Sequence, residues 1–402
     1  LKYLVIVPDG AADRPEEWDK GQTALKRANL PNIDDMARHG EVGMVRNIPV
    51  GVPPGSDAAN LAVMGYDPVN DLTGRSPLEA ISMNIDMQDT DVAFRTNLVT
   101  LSGNGDYEDL VIIDHSAGDI TSEEAEILIK DIDRKLGTDK LKFYPGVSYR
   151  HALIMKDGRT DFDLTPPHDI AGKRIGGYLP KGADPEFITE LMKDSFEILK
   201  DHPVNQARLK KGLNPASSIW IWGQGRKPEL SPFSEKYGIN GAVVSAVDLI
   251  KGIGICAGLR AIDVKGATGT IDTNYEGKVA AAVRAFGEGS DFVYIHIEAP
   301  DECSHQGNND EKIRSLELID KRVIVPLREY LETSGEDFRI LIVPDHRTPI
   351  SIRTHSNEPV PFVIYDSRKN IFKENNSFTE ASGETGQHFE KGSDLADYFF
   401  KI

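Results

Sequence analysis

Three apolar runs in the chain each end on an aspartate: K-Y-L-V-I-V-P-Asp9, D-F-V-Y-I-H-I-E-A-P-Asp301 and R-I-L-I-V-P-Asp345. Histidines follow the last two closely: His305 four residues after Asp301, His346 directly after Asp345, and His355 nine residues beyond His346. A serine sits in a glycine-proline turn, G-V-P-P-G-Ser56-D-A-A-N. Carboxylates and imidazoles without a thiolate suit Mn²⁺ or Zn²⁺, and Mg²⁺ less well. A serine hydroxyl held by such a cation becomes nucleophilic near neutral pH. One aspartate at a strand exit is an ordinary turn residue; three, two of them with neighbouring histidines, point to metal-assisted phosphoryl chemistry. Asp301 and His305 are spaced i, i+4, so a helical turn after Pro300 puts both on one face. Ser56 reads either as a plain helix N-cap or as a nucleophile at a helix N-terminus, where N–H groups and the positive dipole end favour an alkoxide and a phosphoryl group. The segment lacks the G-K-[ST] ending of a P-loop.

The elements that must place these residues alternate. Residues 2–7 read as a buried strand, 31–39 as a helix opened by Pro31, 57–64 as a short helix stopped by Gly65, and S-P-L-E-A-I-S-M as another with Ser76 as cap. The middle is strand-rich (92–100, 110–114, 141–144, 148–155), with a helix at 121–136 opened by a Thr121/Glu124 capping box and another near 185–200. From about 215 the α/β alternation returns, with S-S-I-W-I-W, a helix ending at Gly287, the Asp301 strand, one long helix near 309–333, the Asp345 strand and P-F-V-I-Y. The Asn/Ser/Glu/Gly-rich stretch 374–386 reads as a mobile loop. This order predicts an α/β fold with a mostly parallel sheet covered by helices on both faces. It is built from residues 1–89 and 214–402 and interrupted by an inserted α+β domain at 90–213. In such sheets ligands sit at the carboxyl ends of the strands.

The bulk numbers narrow the function classes. With 46 Lys plus Arg against 64 Asp plus Glu, the net charge is -18, which argues against nucleic acid and against an anionic membrane surface. No apolar run approaches the ~18 residues of a membrane span. Two cysteines, Cys256 and Cys303, give no disulfide framework and fit a reducing cytoplasm.

At this level the chain resembles the archaeal-type, cofactor-independent phosphoglycerate mutases of the alkaline phosphatase superfamily. The stretches that carry the resemblance include V-P-D-G-A-A-D (7–13), P-P-G-S-D-A-A-N-L-A-V-M-G-Y-D-P (53–68), P-G-V-S-Y-R-H (145–151), P-P-H-D-I-A-G-K (166–173), S-A-V-D-L-I-K-G-I-G (245–254), E-A-P-D-E (298–302) and D-H-R-T-P (345–349). They span nearly the whole chain. The resemblance implies an alkaline phosphatase-like sheet and two divalent metal ions, manganese first with zinc, cobalt or magnesium as alternatives. Asp9, Ser56, Asp345 and His346 would hold one ion, and Asp301, His305 and His355 the other. It implies transfer of the phosphoryl group of 3-phosphoglycerate to Ser56 and back to the 2-hydroxyl, without 2,3-bisphosphoglycerate, under a lid formed by the inserted domain. A substrate bearing phosphate and carboxylate calls for cations; Arg150, His115, His168 and Lys251 are the candidates. Two departures stand out: Arg347 where D-H-S-T-P is expected, adding a cation to the site or pointing to solvent, and Cys303-Ser304 where D-E-A-G-H is expected. A homoserine kinase-like phosphotransferase, a phosphatase of the same superfamily and a non-catalytic binding protein are the alternatives. A homo-oligomer is left open.

Overall fold

The computed structural model describes residues 1–401 and divides into two compact units. One comprises Leu1–Leu72 with Glu229–Ile402, the other Thr73–Pro228.

The first unit is built on an eight-stranded sheet. In spatial order its strands are Arg260–Ile262, Gly241–Val244, Phe292–Ile297, Lys2–Pro8, Phe338–Ile342, Val360–Asp366, Glu41–Val45 and Gln387–Phe389. Val360–Asp366 is antiparallel to both of its neighbours, and the remaining pairs are parallel. The expected mostly parallel sheet is therefore present. The two strands flanking Lys2–Pro8 come from the far end of the chain, with Val7 in register with His296 and Ile6 with Ile342. Leu4, Val5, Ile6 and Val7 are fully buried, as a strand covered on both faces requires, and each such side chain contributes about 1.5–3 kcal/mol of apolar burial. Asp9, Asp301 and Asp345 thus follow three adjacent strands and emerge at one edge.

The second unit has an antiparallel sheet in which Val111–Asp114, Val92–Ser102, Arg150–Met155 and Leu141–Tyr144 are successive neighbours, and Ser218–Arg226 also pairs with Val92–Ser102. Helices Ser122–Leu136 and Pro185–Leu199 contribute Leu128, Ile129, Ile132, Ile188 and Met192 to its core. The capping box forms: Thr121 Oγ1 accepts the Glu124 N–H at 3.3 Å.

Several expectations change. The unit boundaries fall at 72/73 and 228/229 rather than 89/90 and 213/214. S-S-I-W-I-W, read as the return of the α/β pattern, lies in the antiparallel sheet of the second unit, because Ser218–Arg226 hydrogen-bonds along Val92–Ser102. The long helix near 309–333 is two α-helices, Asn309–Ile319 and Val325–Thr333, joined through a π-turn at Asp320–Ile324; Pro326 has no N–H to continue the α ladder. The stretch 374–386 contains the helix Glu380–Glu384, and Glu380 is buried, accepting from the Asp13 N–H at 2.9 Å and Thr23 Oγ1 at 2.7 Å. No helix among the described residues is long and apolar enough to cross a membrane.

Candidate metal centre

The strand-end residues of the first unit converge. Gly10 follows Asp9 with φ +62° and donates its N–H to Asp345 Oδ1 at 3.1 Å. A Cβ there would lie 2.6 Å from Asp301 Oδ1, so only glycine lets the first loop pass between the two carboxylates. Asp345, His346 and Asp9 form one fully buried group whose ligand-type atoms lie within 4.8 Å of one another; Asp301, His346 and His355 form a second. His346 Nε2 is 3.5 Å from Asp9 Oδ1 and 3.4 Å from Asp345 Oδ2. On the other side, Asp301 Oδ2 is 3.0 Å from His305 Nε2, Asp301 Oδ1 is 3.4 Å from His355 Nε2, and the two Nε2 atoms are 3.1 Å apart. The i, i+4 pair does ride one helix, Ala299–His305.

Ser56 is the first residue of the helix Ser56–Val63, with Gly55 as its cap, so the plain N-cap reading does not hold. Its hydroxyl is not spent on the backbone: Oγ lies 3.1 Å from His346 Nε2. The same helix carries a residue that inspection of the sequence overlooked. Asn60 is fully buried and donates from Nδ2 to Ser56 O at 2.8 Å and Asp345 Oδ2 at 2.9 Å, while its Oδ1 accepts the Tyr294 hydroxyl at 2.5 Å. Its i+4 spacing from Ser56 was the available signal. Thr348 was also overlooked. Its Oγ1 donates to Asp301 Oδ1 at 2.5 Å and therefore accepts from His346 Nδ1 at 3.2 Å. That network assigns His346 the Nδ1–H tautomer, with the Nε2 lone pair facing Ser56 and the carboxylates. His305 is fixed likewise, its Nδ1 lying 2.9 Å from Arg353 O.

The electrostatics favour cations. Burial, reinforced by Asp345 and Asp301, holds the Asp9 carboxyl far above its usual range. Burial pushes Asp301 and Asp345 the same way, but histidines outweigh it: His305 and His355 hold Asp301 well below, and His346 and His296 lower Asp345. The Asp301 hydrogen bond raises His305 to about 9, while burial lowers His346. Three such close carboxylates cannot all ionise without positive charge nearby. Asp9 Oδ1 is buried with no hydrogen-bond partner, as expected of an oxygen reserved for a ligand. Oxygen and imidazole donors around two points fit two divalent cations. His346 belongs to both groups, so the division between the ions is less sharp than expected.

The other singled-out residues separate. His115, Arg150 and His168 lie in the second unit. His115 stacks edge-on to Tyr149 and His168, with centroids 5.8 and 6.2 Å apart, His168 meets Trp222 at 5.4 Å, and the Arg150 guanidinium lies over Tyr149 at 5.6 Å. Trp220 is core and Trp222 half-buried. Lys251 belongs to the first unit and is paired with Asp248 and Asp263 at 2.9 and 3.0 Å, so it is not a residue of the inserted unit. Arg347 neither faces solvent nor offers a free cation. It is buried and donates to Pro359 O at 2.7 Å and Asp13 O at 2.9 Å. Beside it, the fully buried Lys312 joins Asp13 Oδ1 at 3.0 Å to Thr348 O at 3.2 Å. Cys303 is buried, and burial pushes its thiol up to about 11, which makes it inert.

A family model of 2,3-bisphosphoglycerate-independent phosphoglycerate mutases matches residues 37–205. The 2,3-bisphosphoglycerate-independent phosphoglycerate mutase of Methanosarcina barkeri is 48% identical over 403 residues, covering 100% of each chain. The chain belongs to this family. The corresponding mutase of Methanothrix thermoacetophila is 49% identical over 396 residues, 98% of each chain. Among solved structures, a Pyrococcus horikoshii protein superposes with a TM-score of 0.82 at 28% identity, covering 99% of this chain and 97% of its own. A cofactor-independent phosphoglycerate mutase from Thermoplasma acidophilum gives 0.69 at 26% identity, with 99% and 98% covered. The two buried carboxylate–histidine clusters offer candidate ligand groups for divalent cations.

Proposed function

We propose that this chain interconverts 3-phosphoglycerate and 2-phosphoglycerate through a phosphoserine at Ser56. The observation that carries the reading is the Ser56 hydroxyl, at a helix N-terminus and 3.1 Å from His346 Nε2, beside the buried Asp9–Asp345–His346 group. Asp9, Asp345 and His346, with Ser56, would hold one divalent cation, and Asp301, His305 and His355 the other, manganese being the first choice for this donor set. Such ions lower the pKa of a bound hydroxyl and neutralise charge on a transferring phosphoryl group. In the forward direction the bond between phosphorus and O3 of the glycerate breaks, a bond from phosphorus to Ser56 Oγ forms, and the serine proton ends on O3. Glycerate turns in place, its 2-hydroxyl takes the phosphoryl group, and the proton of that hydroxyl returns to Ser56. The helix dipole at Ser56 favours both the alkoxide and the phosphorylated side chain. Asn60 fixes Asp345 and the first turn that carries Ser56, and Thr348 sets the His346 ring. In the inserted unit we assign the substrate's anionic groups to His115, Arg150 and His168; Lys251, already held by two aspartates, is the weaker candidate. Cys256 and Cys303 form no disulfide, which fits a reducing compartment such as the cytoplasm.

The test is an enolase-coupled assay with Mn²⁺ and 3-phosphoglycerate and no bisphosphoglycerate. Formation of 2-phosphoglycerate that disappears in Ser56→Ala is expected. Activity equal to that variant's would sink the reading, and release of free phosphate without isomerisation would mark a phosphatase instead.

A further inference from the structure

The apolar run D-F-V-Y-I-H-I carries one polar interruption, His296, which the chemistry above does not use. Its side chain is fully buried in the central sheet. Nε2 lies 3.0 Å from Asp9 Oδ2, at ion-pair distance though off the line of an ideal hydrogen bond, and has no other polar partner. Nδ1 lies 3.4 Å from Ser245 Oγ. That oxygen already accepts the Val247 N–H at 3.0 Å, so its one proton is available to the Nδ1 lone pair. The imidazole proton is then left on Nε2, facing Asp9. The strand backbone here is held as well: the fully buried Lys278 donates Nζ to His296 O at 2.9 Å. Asp9 thus has one oxygen, Oδ2, facing the His296 ring at 3.0 Å and the other, Oδ1, buried without a partner.

We propose that His296, set as the Nε2–H tautomer by Ser245, is a positioning residue that holds Asp9 by Oδ2 and so presents Oδ1 to a divalent cation. The inference rests on the reading of Asp9 as a metal ligand. Outer-sphere partners of this kind orient the ligand before the ion arrives, and their loss costs about 10–100-fold in metal affinity.

Calorimetric titration of Mn²⁺ into the chelator-stripped full chain reads the effect directly, with far-UV circular dichroism as the folding control. His296→Leu is expected to weaken the Asp9 site by about 10–100-fold. Ser245→Ala, which deletes the oxygen that sets the tautomer and also accepts the Val247 N–H, is expected to weaken it by a smaller factor. His296→Gln, whose amide N–H reaches the Nε2 position, recovers most of the wild-type affinity. Asp9→Asn is the reference. If it loses Mn²⁺ while His296→Leu and Ser245→Ala bind as wild type, the positioning role is overturned and the metal site stands. If Asp9→Asn itself binds as wild type, the metal reading of Asp9 falls and takes this inference with it. Should His296→Leu fail to fold, Ser245→Ala decides, together with the ¹⁵N signature of His296 in the wild-type chain. An Nδ1–H tautomer there would overturn the proposal, whereas a purely structural histidine would not couple its tautomer to Mn²⁺ affinity.

Discussion

Asn60 gives the sharpest test of how the site is held. It is fully buried, and Asn60→Leu keeps the branching at Cγ, in a somewhat larger side chain, while removing two donated bonds and one accepted one. The bond to the carboxylate of Asp345 is charge-assisted and contributes about 1.5–3 kcal/mol, and the Tyr294 hydroxyl left stranded in the core costs about 1–3 kcal/mol. The single variant should therefore lose about 3–5 kcal/mol. Tyr294→Phe alone strands Asn60 Oδ1 and should lose about 1–3 kcal/mol. In the double variant neither the hydroxyl nor the amide remains to be stranded. Its loss should fall short of the sum of the singles by about 1–2 kcal/mol. Denaturant titrations of all four proteins, with chelator present throughout so that bound ions do not enter, yield the cycle. Strict additivity, within about 0.5 kcal/mol, would mean that Tyr294 and Asn60 do not share a bond, and a near-zero cost of Asn60→Leu would mean that Asp345 is held by something else.

Three further outcomes are expected. Stripping the metals should lower the stability of the first unit, by an amount set by the ratio of free ion to dissociation constant, about 2.7 kcal/mol at a hundredfold excess, read as a fall in melting temperature; because His305 sits at about 9 beside Asp301, metal uptake at neutral pH should also release protons, seen as a buffer-dependent binding enthalpy, and a buffer-independent enthalpy would refute that assignment. Burial holds His151 down to about 3 against an ordinary 6.5: above 6.5 the ring is neutral folded and unfolded, and below it the unfolded chain takes up a proton that the folded one refuses, so stability should fall as pH drops from about 6.5 towards about 3, by up to ~1.4 kcal/mol per pH unit. A His151→Gln variant should show a shallower acid dependence, and parallel profiles would count against it. Arg347→Ala should cost about 2–3 kcal/mol of stability through the loss of its bonds to Pro359 O and Asp13 O; a raised KM with unchanged stability would instead place the guanidinium on the substrate.

Reading the chain by itself went far because the site residues lie at predictable places in a repeating pattern. A parallel sheet buried on both faces writes its strands as continuous apolar runs, and the residue just past each run must stand at the carboxyl edge. That is enough to single out Asp9, Asp301 and Asp345, and the i, i+4 rule adds His305 to Asp301. The sequence also places the candidate nucleophile and most candidate ligands on opposite sides of an insertion. What it left open depends on contacts between residues distant in the chain. Strand order alone makes Phe292–Ile297 and Phe338–Ile342 the neighbours of Lys2–Pro8, and that adjacency turns three separate aspartates into one centre. Ser218–Arg226 reads in the sequence as part of the returning α/β pattern; only its ladder with Val92–Ser102 assigns it to the second unit. Arg347, Thr348 and His296 have no local pattern that reveals their roles, and Asn60 has only its i+4 spacing from Ser56, because the contacts that define them include partners far along the chain. Residue type and period thus singled out the candidate groups for the chemistry. Tertiary packing decided which groups meet each carboxylate and left Asp9 Oδ1 buried without a partner, since hydrogen-bond satisfaction of buried groups is a property of the assembled neighbourhood and not of the segment.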